Sequence, residues 1–109
     1  MAAYASPRRG EVYLVNLDKP RPAIILSVDA LNRHALDVCV VPITTKIHAQ
    51  FRMRVPLKQG DGGLDHDCWA KCDQVMTLEK ADLQARPLGA LSLSILQQIE
   101  EQVRVALGL

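Results

Sequence analysis

The stretch from Glu11 to Ile43, EVYLVNLDKPRPAIILSVDALNRHALDVCVVPI, decides the fold. It holds three apolar runs of strand length separated by breakers. Glu11 to Asn16 alternates, with Val12 and Leu14 toward one face and Tyr13 and Val15 toward the other. Asp18-Lys19-Pro20-Arg21-Pro22 interrupts the pattern with two prolines, each fixing φ and removing a backbone donor. Ala23 to Val28 (AIILSV) is nearly continuous apolar sequence of strand length. Asp29 to His34 is polar and reads as a turn or a single helical turn. Asp37 to Ile43 (DVCVVPI) is a third strand, whose Pro42 suits an edge or a bulge.

Working outward, Phe51 to Leu57 alternates, with Phe51, Met53, Val55 and Leu57 on one side and Arg52, Arg54 and Pro56 on the other. This is a strand with a basic outer face. Gly60-Asp61-Gly62-Gly63 reads as a flexible loop, and a fifth strand is expected over about Asp67 to Val75. The period then changes. Leu93, Leu96, Ile99, Val103 and Leu107 follow helical spacing, Ser92 or Ser94 can cap the start, Ser94 with Gln97 has the capping-box form, and Gly108 falls where a helix stops. Residues 1 to 8 lack periodicity and are expected to form a loose arm, leaving 9 to 109 as a single domain. The sum is mostly β with a C-terminal α-helix: a small antiparallel barrel or half-barrel with the helix packed on it.

A chain of 109 residues, 49% hydrophobic and 23% charged, carries one modest core and excludes a multidomain enzyme. No apolar run approaches the roughly 18 to 20 residues of a membrane-spanning helix. Arg8 and Arg9 follow the small N-terminal residues, opposite to a secretory signal, so a soluble cytoplasmic protein is expected, with no membrane partner. Three cysteines, Cys39, Cys68 and Cys72, favour reduced, partly buried thiols over a disulfide framework. The net charge of +1 hides an asymmetry, because residues 1 to 58 sum to +5 and residues 59 to 109 to −4. A basic first half suits a polyanion.

Few chemistries fit the motifs. His66, Cys68 and Cys72 fall short of a zinc site, since one Cys-x3-Cys has no second pair of ligands; no metal and no cofactor are expected. There is no nucleophile elbow, and Gly60 to Gly63 lacks the Lys-Ser/Thr of a phosphate loop. On a strand, Cys68, Ala70 and Cys72 would face the core while Trp69, Lys71 and Asp73 project together. Lys71 and Asp73 would then lie about 6 to 7 Å apart along the strand, a cation and a carboxylate able to stabilise charge and move a proton. Arg21 stands at the start of a buried strand with a planar fork suited to phosphate oxygens. Pro42-Ile43-Thr44-Thr45-Lys46 ends another strand in two hydroxyls and an ammonium. His34, His48 and His66 read as solvated loop histidines.

Taken together, Arg9-Gly10-Glu11-Val12-Tyr13-Leu14-Val15, Arg21-Pro22-Ala23-Ile24-Ile25, Val41-Pro42-Ile43-Thr44, Lys71-Cys72-Asp73-Gln74-Val75-Met76-Thr77 and Ala106-Leu107-Gly108-Leu109 resemble the MazF/PemK toxins of bacterial type II toxin-antitoxin systems. The blocks follow the family's order from about residue 8 onward. The resemblance implies an SH3-like or CcdB-like barrel, a homodimer, and metal-independent cleavage of single-stranded RNA that halts translation and growth until a cognate MazE-like antitoxin neutralises it. It implies Arg21 and Thr44 as the catalytic pair, with Lys71 and Asp73 at the positions of the Arg-Cys-Asp-Gln element of the Kid-like branch. Lys46, Thr45, Arg52, Arg54, Gln74 and Thr77 are the expected RNA-binding residues.

The chain departs from the family in two places. Its first interstrand connection is short and lacks the histidine that the Kid-like branch supplies there, and Lys71 replaces an arginine, giving up bidentate contact while keeping charge. The alternative functional readings are a non-catalytic toxin-fold protein, either sequestering antitoxin or poisoning gyrase as CcdB does, and a general RNA-binding barrel. The second is weakened by an aromatic content of 4%, too little for both a core and a stacking platform.

Overall fold

The computed structural model describes residues 5–46 and 53–109. Among these, β1 (Glu11–Asn16), β2 (Pro20–Ile25), β3 (Asp37–Thr44), β4 (Arg54–Leu57), β5 (Cys68–Lys71), β6 (Met76–Glu79) and β7 (Gly89–Ala90) form one curled antiparallel sheet. The strand order is β4-β5-β3-β2-β1-β7, with β6 paired to β3. A short helix α1 (Asp29–His34) follows β2, and helix α2 (Leu93–Leu107) ends the chain. The expected architecture, mostly strands in a half-barrel with a C-terminal helix, is the observed one.

The sheet is apolar on both faces, so β1 buries Val12, Tyr13 and Val15 and β3 buries Val38, Val40, Val41 and Ile43, with residues from both faces in each set. Val12, Ile24 and Val41 pair across three strands and pack with Ile43, Val55, Leu57, Ala70, Cys72, Ile99 and Val103 in the main core, beneath α2. Tyr13, Val15, Ala23, Ile25, Val38 and Val40 form a second cluster on the opposite face, closed by Ala5 and Leu83. Residues 1 to 8 were expected to be loose, but from Ala5 on the chain is anchored: Ala5 belongs to this second core and the Arg8 N–H donates to Glu11 Oε1 at 2.6 Å.

Several boundaries move. β2 begins at Pro20 and stops at Ile25, so Pro20, Arg21 and Pro22 belong to the strand and the break shrinks to Leu17–Lys19. Its prolines are tolerated because β3 pairs with β2 only from Ala23 on. Pro42 sits on the central strand of the sheet, correcting the edge expectation. β6 pairs with β3 as far as Val40 and β5 resumes at Ile43, leaving Pro42 in the gap between the two ladders. The strand expected over Asp67 to Val75 divides: β5 ends at Lys71, a turn carries Cys72 and Asp73, and β6 begins at Met76.

The glycine run is a built turn, not a flexible loop. Gly63 holds φ +77 and lies so close to β7 that a Cβ there would sit 2.0 Å from the Leu88 carbonyl oxygen. On α2, Ser92 is the cap, its Oγ accepting from the Ile95 N–H at 3.3 Å, so the Ser94–Gln97 box is not used. Leu96, Ile99 and Val103 are the helix's buried residues, while Leu93 and Leu107 point outward.

Candidate active site

Directly paired residues of antiparallel strands share a face. The pairs Val15↔Arg21, Ala23↔Pro42 and Thr44↔Trp69 therefore carry Arg21 and Thr44 to the sheet face opposite α2, and Lys71, two residues on from Trp69, joins them. There a groove of about 340 Å³ opens, floored by Val15, Ala23, Pro42 and Ile43 and rimmed by Lys19, Arg21, Thr44, Thr45, Lys46 and Lys71. Four cations and two hydroxyls around an apolar floor suit an anionic, partly apolar ligand.

Each polar group is set by local structure. Arg21, flanked by two prolines, donates from Nε to Asp18 Oδ1 at 3.0 Å and from Nη2 to Asp18 Oδ2 at 3.1 Å. These bonds hold the Asp18 carboxyl at about 2 and raise the Arg21 guanidinium further. The Thr44 Oγ1 accepts from the Lys46 N–H at 3.1 Å. That bond takes one of the hydroxyl's two lone pairs and leaves its O–H able to rotate toward the groove that Thr44 lines. Lys71 is half-buried, and burial first, then the neighbouring Arg54, lowers its ammonium pKa, with Asp73 acting in the opposite sense and Arg21 adding to the lowering.

Two expectations about the site change. Arg54 is not on an open basic face. Its side chain is only 7% exposed, its Nη1 lies 3.8 Å from Asp73 Oδ1, and it lines a shallow cleft against α2 with Gln98, Glu101 and Gln102, not the groove. Asp73 is likewise not among the groove-lining residues: it sits in the turn after β5, with a carboxylate 25% exposed. Asp73 and Lys71 remain electrostatic neighbours, though no longer on one strand. Gln74 is exposed in the same turn, its N–H bonded to the Lys71 carbonyl at 3.0 Å. Thr77 approaches Cys39 Sγ at 3.7 Å, while its neighbours Met76 and Leu78 line the groove. The structure thus brings Arg21, Thr44, Thr45, Lys46 and Lys71 together, and holds Arg54, Asp73, Gln74 and Thr77 off the groove. Arg52 and His48 lie outside the described residues.

Lys19 and Asp18 were missed as site residues. Charge alone signalled both, but only the three-residue turn decides which way they point. Cys68 and Cys72 lie in the main core, and burial pushes the Cys72 thiol up to about 11. No group of three or more His, Cys, Asp or Glu able to hold a metal occurs among the described residues. No helix there is long and apolar enough to cross a membrane.

A helix-backed half-barrel presenting four cations and two hydroxyls around one groove defines the class, a small β domain with a basic groove on one sheet face. A family model described as the PemK-like, MazF-like toxin of type II toxin-antitoxin systems matches residues 8–107, and the chain belongs to that family. It is 32% identical to endoribonuclease MazF9 of Mycobacterium tuberculosis across 94% of this chain and 97% of the relative. Among solved structures, an endoribonuclease in complex with its cognate antitoxin from a mycobacterial species superposes with a TM-score of 0.80 at 31% identity, covering 95% of each chain. The M. tuberculosis toxin MazF-mt6 gives 0.81 at 30%, covering 91% of this chain and 97% of that one.

Proposed function

We propose that this chain is a metal-independent endoribonuclease toxin that cuts single-stranded RNA, halting translation and growth until a cognate antitoxin neutralises it. The observation that carries the reading is the groove in which Arg21, Thr44 and Lys71, from three different strands, converge on one sheet face, in a chain whose relatives are named endoribonucleases.

RNA carries its own nucleophile. The 2′-OH gives up its proton to solvent in the open groove as its oxygen bonds to phosphorus and the P–O5′ bond breaks. The protein need only hold the 2′-oxygen in line, offset the added negative charge and protonate the departing 5′-oxygen. Arg21 grips the scissile phosphate with its planar fork, and Thr44 donates its O–H to a second phosphate oxygen. Lys71 donates the proton to the 5′-oxygen, since an ammonium made less basic by burial is a better acid. Asp73 pairs with Arg54 and favours the charge of Lys71 from outside the groove. Thr45 and Lys46 hold flanking phosphates, and the apolar floor receives a base or ribose. The products are a 2′,3′-cyclic phosphate and a 5′-OH. A twofold homodimer and an antitoxin with an acidic segment competing for the same cations complete the reading.

The test is incubation of the purified protein with a long mixed-sequence RNA in EDTA, followed by primer extension and end-group analysis. The expected result is cleavage at recurrent short sites with cyclic phosphate ends. Intact RNA under all conditions, or cleavage only with added divalent metal, overturns the proposal.

A further inference from the structure

The β1–β2 connection has only three residues, Leu17, Asp18 and Lys19, between the paired Asn16 and Pro20. Such a tight turn brings the carboxylate of Asp18 back onto the residue three places on. The two bonds to Asp18, at 3.0 and 3.1 Å, use the Nε–H and one Nη2–H of Arg21, the side edge of the guanidinium. The opposite edge, formed by Nη1 and the second Nη2–H, remains a complete second fork for a bidentate oxyanion. Arg21 and Lys19 line the groove but Asp18 does not, so the carboxylate backs the guanidinium without filling the space a phosphate would take. Pro20 and Pro22 fix the backbone on either side. The side chain itself is 49% exposed, and without a partner it would sample many rotamers.

We propose that Asp18 is a positioning residue for RNA cleavage, holding the Arg21 fork by its side edge so that its end edge faces the scissile phosphate; this rests on the ribonuclease reading above. The short turn thereby supplies an orienting group in a chain whose first interstrand loop carries no histidine. An alternative role, as a gate whose carboxylate competes with phosphate, predicts the opposite sign when Asp18 is removed.

A double-mutant cycle under single-turnover conditions, with rate and RNA affinity measured separately, decides between them. Asp18→Asn is expected to cut roughly 10-fold more slowly at saturating RNA, a misorientation effect. Its RNA affinity should be unchanged or tighter, because a negative charge has been removed. Asp18→Glu should recover part of the rate. In an Arg21→Ala background, Asp18→Asn should change the rate less than about twofold, since a residue acting only through Arg21 has nothing left to act on. The proton NMR signal of the Arg21 Nε–H, observed without RNA, should be resolved in the wild type and broadened in Asp18→Asn. Asp18→Asn cutting as fast as or faster than wild type, or losing the same factor when Arg21 is absent, overturns the proposal while leaving the ribonuclease reading intact. A wild-type protein that leaves RNA uncut, or is indifferent to Arg21→Ala, instead overturns that reading.

Discussion

Lys71 shows how the site asks one residue to serve two ends. Its ammonium is half-buried beside Arg54 and within reach of Arg21, and only Asp73 favours its charge. With its pKa lower in the folded chain than in the unfolded one, the unfolded state binds the proton more tightly. Stability therefore rises with pH from the lowered pKa up to the free-lysine value near about 10.4. If Lys71 is the acid, cleavage falls across that same range. Rate and melting temperature should thus move in opposite directions on the alkaline side, and Lys71→Met should melt higher and cut slower than wild type. Paired pH series of thermal melts and single-turnover rates check both; a variant that melts lower contradicts the desolvation account. Arg21 and Thr44 were legible through the Arg21-Pro22 and Val41-Pro42-Ile43-Thr44 elements of the family resemblance, Arg21 standing in an expected break that proves to be strand. Lys71 was legible in the sequence because it shares a strand face with Trp69. Asp18 was not, because no periodicity governs where a turn residue points. Arg54 also misled, since alternation gives a face but not the depth at which Asp73 holds it.

At the scale of elements, local chemistry decided what pattern could not. Ser92 and Ser94 both precede helical spacing, yet only Ser92 has extended backbone, at φ −63 and ψ 153, with its hydroxyl on a first-turn N–H. Ser92→Ala is expected to cost about 1 kcal/mol and Ser94→Ala close to nothing, read by denaturant titration. The glycine turn gives a steeper contrast. Gly60 has a positive φ but no heavy atom near its absent Cβ, whereas Gly63 is pressed on the Leu88 carbonyl. Gly60→Ala should therefore cost about 1 kcal/mol of backbone strain. Gly63→Ala should cost several-fold more and displace β7, because backbone has to move. Equal losses for the two would mean that the close approach to Leu88 carries no weight. The division of the expected fifth strand was hidden for a similar reason: Lys71 to Thr77 keeps a strand-like composition through a turn that no glycine or proline announces.

Across the whole molecule, the half-barrel spends one sheet face on α2 and divides the other between a second core and the groove. Burial of Ile99 and Val103 under the sheet, worth roughly 1.5–3 kcal/mol for each large side chain, lets the far end of the opposite face remain open and charged. The +5 of residues 1 to 58 accordingly resolves into particular positions. Lys19, Arg21 and Lys46 line the groove, joined by Lys71 from the acidic half. RNA affinity should fall with salt, and Arg21→Ala should reduce the magnitude of the log–log slope by roughly 0.7, the value for one phosphate contact on a single strand. An unchanged slope would remove Arg21 from the phosphate path. The most direct measurement of the central claim is single-turnover cleavage of one defined RNA in EDTA by wild type and Arg21→Ala. The account predicts cleavage to a 2′,3′-cyclic phosphate by the wild type and a loss of about 100-fold or more in the variant; equal rates, or cleavage that disappears with EDTA, would contradict it.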